Sequence, residues 1–212
     1  ATAKHYVAYS NNKGAREGMA RDDPQMSPRE VENIHVYPFK RVIEEAGILG
    51  VMASYNDYDG FPIAGSYYWL TMRLRQEFGF LGYVVSDSDA VEYLFSKHCT
   101  AEDMKDAIRQ CVEAGLNVRC TFRSPDSYVL PLRELVKEGK LDMKTIDNRV
   151  RDILRVKFLI GLFDAPYQMK LQNADKIVNN EANQKVALQA SRESIVLLKN
   201  QNKLLPLDFS KI

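Results

Sequence analysis

An excess of charge of either sign is missing here: 29 basic residues against 28 acidic ones leave a formal net charge of +1. No run of five or more like charges occurs, so neither nucleic acid nor an anionic membrane surface is expected as a partner. Long hydrophobic runs are missing too, none approaching the roughly 20 residues that a membrane span needs. The opening "ATAKHYVAYS" has neither a basic n-region nor an apolar h-region, so an export signal is not expected within the chain. Cysteine is scarce: Cys99, Cys111 and Cys120 show no C-x-x-C spacing and no neighbouring histidine cluster. That argues against a zinc site, and the odd count argues against a disulfide framework. No G-x-G-x-x-G, P-loop, H-E-x-x-H or G-x-S-x-G motif is present, so neither a cofactor nor a metal is expected.

What is present is a recurring unit: a helical pattern closed by glycine, a short β-branched strand, then polar residues and the next helix. Ser27-Pro28-Arg29-Glu30 reads as a capping box with proline at the first helical position, and Pro38 predicts a kink or break in the helix that follows. "GVMASYN" (50–56), "LGYVVSD" (81–87) and "LNVRC" (116–120) read as strands, with helices predicted over 66–78, 90–97, 100–113, 127–137 and 143–160. From Val51 to Val84 is 33 residues and from Val84 to Val118 is 34, a spacing that suits βα units with parallel strands. The chain opens on a further strand-like stretch. Two fold classes fit: a small doubly wound domain, or the latter part of a (β/α)8 barrel whose earlier strands lie upstream. The strand-like opening favours the barrel, since a few parallel strands cannot close the roughly eight-stranded ring.

In parallel α/β folds the reactive groups gather where strands end. That rim holds Lys4 and His5, Tyr55-Asn56-Asp57, Ser86-Asp87-Ser88-Asp89, and Arg119. Asp89 fits a D-x-x-E helix start with Glu92 and is expected to be a cap. Asp87 ends the strand, where its carboxylate is available as a base, nucleophile or metal ligand. Lys4 and His5 point to opposite faces if both keep strand geometry; a lysine at such a rim could alternatively form a Schiff base, as in a lyase. "NDYDG" (56–60) superficially suggests a calcium loop, but Tyr55 and Ser66 fall where that loop needs acids, so Asp57–Gly60 is expected to be a turn.

"AKHYVAY", "GVMASYNDYDGFPI", "LTMRLRQEFGFLGYVVSDSDA", "AGLNV", "RVRDILRVKFLIGLFD" and "ESIVLLKNQNKLLPL" together resemble glycoside hydrolase family 3, the retaining β-glucosidases and β-xylosidases. The resemblance runs through nearly the whole chain and implies an α/β fold: the latter part of a (β/α)8 TIM-like barrel over 1–163, a linker with a helix over 164–193, and the start of an α/β sandwich domain over 194–212. It implies Asp87 as catalytic nucleophile, Lys4 and His5 on sugar hydroxyls, and Met52 and Tyr55 lining the same subsite. The partner implied is a β-glucoside, β-xyloside or related oligosaccharide, along with the remaining barrel strands and second domain of the parent protein. A periplasmic or secreted location follows by analogy alone.

Two departures from the family pattern stand out. Ser88 follows the nucleophile position where many relatives have an aromatic residue, and the stretch after Lys4-His5 lacks the D-x-H dyad of the N-acetylglucosaminidase branch. The acid/base of most relatives comes from the second domain, so the chain by itself is expected to be inactive. A non-catalytic carbohydrate-binding module and a Schiff-base lyase using Lys4 are the competing functions.

Overall fold

The computed structural model describes residues 1–11, 23–165, 173–208 and 210. The stretch after Lys4-His5 in which the D-x-H dyad would stand falls largely in 12–22, and part of the linker over 164–193 falls in 166–172, outside the described residues. The chain forms two compact units, Ala1–Asp164 and Ala165–Ile212.

The first unit is built on β1 (Ala3–Tyr6), β2 (Gly50–Ala53) and, after a hairpin of β3 (Asp57–Tyr58) and β4 (Phe61–Pro62), β5 (Tyr83–Ser86). β1, β2 and β5 pair in parallel and in chain order. Each strand therefore lies beside its successor, the order of a barrel and not the reversed order of a doubly wound sheet. Val51 pairs with Val84, so the 33-residue spacing in the sequence is the register of the ladder. The sheet continues through a single bridge, Val85 to Val118. The expected fourth strand thus contracts to one residue pair, because Asn117, beside the bridge, is drawn into side-chain hydrogen bonds and the segment has a strand neighbour on one side only.

Helices cover the sheet. Ser27 accepts a hydrogen bond from the Glu30 amide and opens α1 (Pro28–Glu30), as the capping box predicts. The run continues as a π-helix over Val31–Val36 and then α2 (Tyr37–Glu44), with Pro38 in the first turn of α2; the proline thus marks a change of winding, not a stop. A second π-helix, Tyr68–Glu77, follows the hairpin. α3 (Ala90–Ser96), α4 (Met104–Ala114), α5 (Asp126–Lys137) and α6 (Met143–Leu159) complete the unit. Val51, Ala53, Val84, Leu70, Leu74, Leu94, Ile108 and Leu116 are wholly or almost wholly buried, each larger aliphatic worth roughly 1.5–3 kcal/mol of transfer free energy.

A buried polar hub ties these layers together at the end of the sheet opposite the rim. The Asn117 carbonyl oxygen accepts from the Val84 amide (2.8 Å) and from Arg75 (2.7 Å), while its amide donates to the Arg149 carbonyl (2.9 Å) and to Asp152 (3.0 Å). Arg75 also pairs with Asp152 at 3.2 Å. Burial pushes the Arg75 guanidinium down to about 10, against the opposing pull of Asp152. Gly82 sits where any side chain would collide with backbone: a Cβ there would lie 2.2 Å from the Leu49 carbonyl oxygen.

In the second unit, α7 (Ala174–Ile177) precedes α8 (Glu181–Glu193), whose start is capped by Asn180 accepting from the Asn183 amide. Residues 194–200, at the start of the expected sandwich domain, form no strand among the described residues. A strand persists only with a ladder partner, and none pairs with it here; Ile195 and Leu198 remain 77% and 92% exposed.

Candidate active site

The ends of β1, β2 and β5 bring three of the singled-out side chains to one place. Asp87 follows β5 directly, its amide donating to the Ala53 carbonyl (3.2 Å) and its Oδ1 accepting from the Ser88 amide (2.8 Å). His5, from β1, places Nε2 3.3 Å from Asp87 Oδ2. Tyr55, just past β2, lies close enough to the Asp87 carboxylate and to Ser88 for both to act on its phenol. Burial, reinforced by the charge of Asp87, raises the Tyr55 phenol above its ordinary value, so Tyr55 is a proton-bearing donor across the working range. A carboxylate held between an imidazole and a phenol, at a strand end and partly open to solvent, can attack an electrophilic carbon.

Rings surround this carboxylate. His5 meets Tyr9 with centroids 4.9 Å apart, Tyr9 meets Tyr55 at 5.8 Å, and Tyr55 meets Tyr93 at 5.5 Å. Tyr9 and Tyr93 were not singled out from the sequence. Tyr9 lies inside the quoted "AKHYVAY" stretch, whereas Tyr93 is one turn into α3, where ring and pocket cannot be linked by spacing. His98 makes a 2.9 Å hydrogen bond to the Tyr55 carbonyl, and Lys97 Nζ sits 3.5 Å over the Tyr93 ring.

The other candidates are placed differently. Met52 is half-buried and pairs in register with Val85, and by strand alternation it shares the face on which Asp87 emerges. Lys4 is exposed and makes no ion pair among the described residues. The turn expected over Asp57–Gly60 is confined to its second half: Asp57 and Tyr58 form β3, and Asp59 and Gly60, with positive φ of 54° and 76°, link it to β4 in the two-residue form that Asp-Gly favours. No group of three or more potential metal ligands forms among the described residues.

Asp89 differs from its expected role. It stands at the position before α3, yet its φ of 58° is left-handed and its carboxylate does not cap the helix. A capping side chain needs an extended backbone at that position. Instead Oδ1 accepts a 2.6 Å hydrogen bond from the Thr121 hydroxyl. Glu92, its supposed box partner, is buried in an ion pair with Arg119.

Residues 1–156 match the model of the glycosyl hydrolase family 3 N terminal domain. A putative β-xylosidase of Formosa agariphila is 38% identical over 211 residues, covering 100% of this chain and 27% of that protein. A periplasmic β-glucosidase of Salmonella typhimurium is 35% identical over 210 residues, covering 97% of this chain and 26% of that protein. Among solved structures, a variant β-glucosidase of Listeria innocua in complex with laminaribiose superposes with a TM-score of 0.84 at 31% identity, over 97% of this chain and 28% of that one. The chain thus spans about a quarter of the length of the curated relatives it matches.

Proposed function

The chain belongs to glycosyl hydrolase family 3, and from that premise we propose that it carries the nucleophile side of a retaining β-glycosidase acting on β-D-glucosides or β-D-xylosides. The observation that supports this most is Asp87 itself: a carboxylate at the end of β5 with His5 at 3.3 Å and the Tyr55 phenol beside it. In the proposed reaction the ionised Asp87 attacks the anomeric carbon as the glycosidic bond breaks, forming a glycosyl-enzyme through an oxocarbenium-like transition state. A second carboxyl, about 5–5.5 Å from Asp87, gives its proton to the leaving oxygen and then takes one from the water that releases the sugar with retained configuration. In this proposal that second carboxyl comes from the rest of the parent protein.

Lys4 and His5 are assigned to the sugar hydroxyls, and Met52 and Tyr55 to the wall of the same subsite. Residues 1–163 are assigned to the barrel, 164–193 to the linker and 194–212 to the start of the second domain. The relative solved with laminaribiose supports a glycoside as ligand, and the periplasmic relative supports a periplasmic or secreted location. A Schiff-base lyase using Lys4 is the competing reading.

The test is a 2-deoxy-2-fluoro-β-glycoside with a good leaving group, incubated with the full-length protein. Peptide mapping is expected to find the sugar esterified to Asp87. A label on any other residue would overturn the assignment, and reductive trapping of a carbonyl compound on Lys4 by borohydride would favour the lyase.

A further inference from the structure

Behind Asp87 the segment Val118–Thr121 grips the turn Ser86–Asp89 along its length. The Ser86 amide donates to the Val118 carbonyl (2.9 Å), and the Cys120 amide donates to Ser86 Oγ (2.9 Å). The Asp89 amide donates to the Cys120 carbonyl (3.0 Å), and Thr121 Oγ1 donates to Asp89 Oδ1 (2.6 Å). Arg119, in the middle of the segment, forms a buried ion pair with Glu92 on α3 and donates to Ser127 (2.9 Å) on α5. Glu92 is followed by Tyr93, whose ring rests against Tyr55, which lies beside the Asp87 carboxylate.

Neither flank of Asp87 is set by the β5 ladder alone. Residue 89 is left-handed, a conformation that persists in a residue other than glycine only where the surroundings hold it. The holders are the Cys120 carbonyl and the Thr121 hydroxyl. The ion pair of Arg119 and Glu92 points the same way: burying such a pair contributes little to net stability compared with well-packed apolar side chains, so its value lies in fixing geometry. A nucleophile must be held close to its attack position, where misplacement by about an ångström costs up to about a hundredfold in rate.

We propose that Val118–Thr121 is a clamp that holds Asp87 in attack geometry, with Thr121, Arg119 and Glu92 as positioning residues that never touch the substrate. The proposal rests on Asp87 being the nucleophile. It is tested in the full-length protein with Thr121→Val, which keeps the shape and removes the hydroxyl, and with Thr121→Ser, which restores it. The quantities read are kcat, KM, the maximal rate of glycosyl-enzyme formation with the 2-deoxy-2-fluoroglycoside, glucose inhibition and thermal midpoint.

Thr121→Val is expected to slow kcat and glycosylation by about tenfold, with KM, glucose inhibition and thermal midpoint close to wild type, and Thr121→Ser to recover most of the loss. The double variant Arg119→Met/Glu92→Leu, which leaves no lone buried charge, is expected to show the same pattern. Glycosylation within twofold of wild type in both Thr121→Val and the double variant would overturn the clamp while leaving Asp87 as nucleophile. A rate loss that merely follows a lowered thermal midpoint, and that Thr121→Ser does not recover, would overturn it as well. If the wild-type protein is labelled elsewhere than Asp87, the nucleophile assignment falls and the clamp falls with it.

Discussion

Tyr55 and Asp87 come from different strands, 32 positions apart in the sequence, and meet because β2 and β5 pair residue for residue from Gly50 with Tyr83 to Ala53 with Ser86. A hydrogen bond from a phenol to a charged carboxylate is worth about 1.5–3 kcal/mol, and Tyr55, whose phenol lies beside Asp87, is expected to supply one in the working enzyme. Tyr55→Phe in the full-length protein is therefore expected to lower kcat/KM for an aryl β-glycoside by roughly ten- to a hundredfold. Its thermal midpoint should stay near wild type, since the ring and its contacts with Tyr9 and Tyr93 remain. Steady-state kinetics beside a melting curve would show it; a variant at wild-type kcat/KM would remove Tyr55 from the site. Asp89 illustrates the opposite case at the same scale. Its D-x-x-E context favours a cap, yet the tertiary hydrogen bond from Thr121 and the pairing of Glu92 with Arg119 claim both acids.

At the scale of elements, the hub of Asn117, Arg75 and Asp152 joins β5, the π-helix Tyr68–Glu77 and α6 at the end of the sheet opposite Asp87. Every hydrogen-bonding position of the Asn117 side chain is used, so no smaller or apolar side chain can replace it. Removing one partner from a buried charged pair costs about 3–5 kcal/mol. Asp152→Ala should thus shift the urea midpoint sharply downward, since it strands the Arg75 guanidinium. Urea unfolding followed by circular dichroism checks this, and a midpoint within error of wild type would show that the hub is dispensable. The strand at 116–120 was legible only as an apolar stretch. That it shortens to the bridge at Val118 depends on the fate of Asn117, whose partners at 75, 84, 149 and 152 no local pattern connects.

At the scale of the whole molecule, the sheet among the described residues is β1, β2, β5 and one bridge, short of the roughly eight strands of a closed barrel. β1 sits at its edge, and Lys4 on that edge is exposed. The 212-residue chain by itself is accordingly expected to give no measurable turnover of aryl β-glucosides or β-xylosides, and the full-length protein is expected to turn over at least one of them. Assay of both at equal molar concentration checks this, and efficient turnover by the chain alone would show that the pocket is complete within it. The exposed Ile195 and Leu198 in the second unit belong to the same scale: a β-branched, apolar sequence specifies a strand only when another strand supplies its hydrogen bonds.

The sequence by itself determined the periodic features: the 33-residue βα spacing that became the ladder register, the capping box at Ser27, the Asp-Gly turn at 59–60, and the eligibility of Asp87 at a strand end. These depend on contacts within a few residues or on a repeat, which a linear pattern records. Only the tertiary structure decided what surrounds Asp87. The approach of His5 and Tyr55, the ring of Tyr9 and Tyr93, the burial of Glu92 against Arg119 and the left-handed turn at Asp89 held by Thr121 all join residues from separate βα units. Their energies arise from proximity and desolvation that exist only once the parallel strands have aligned their carboxyl ends.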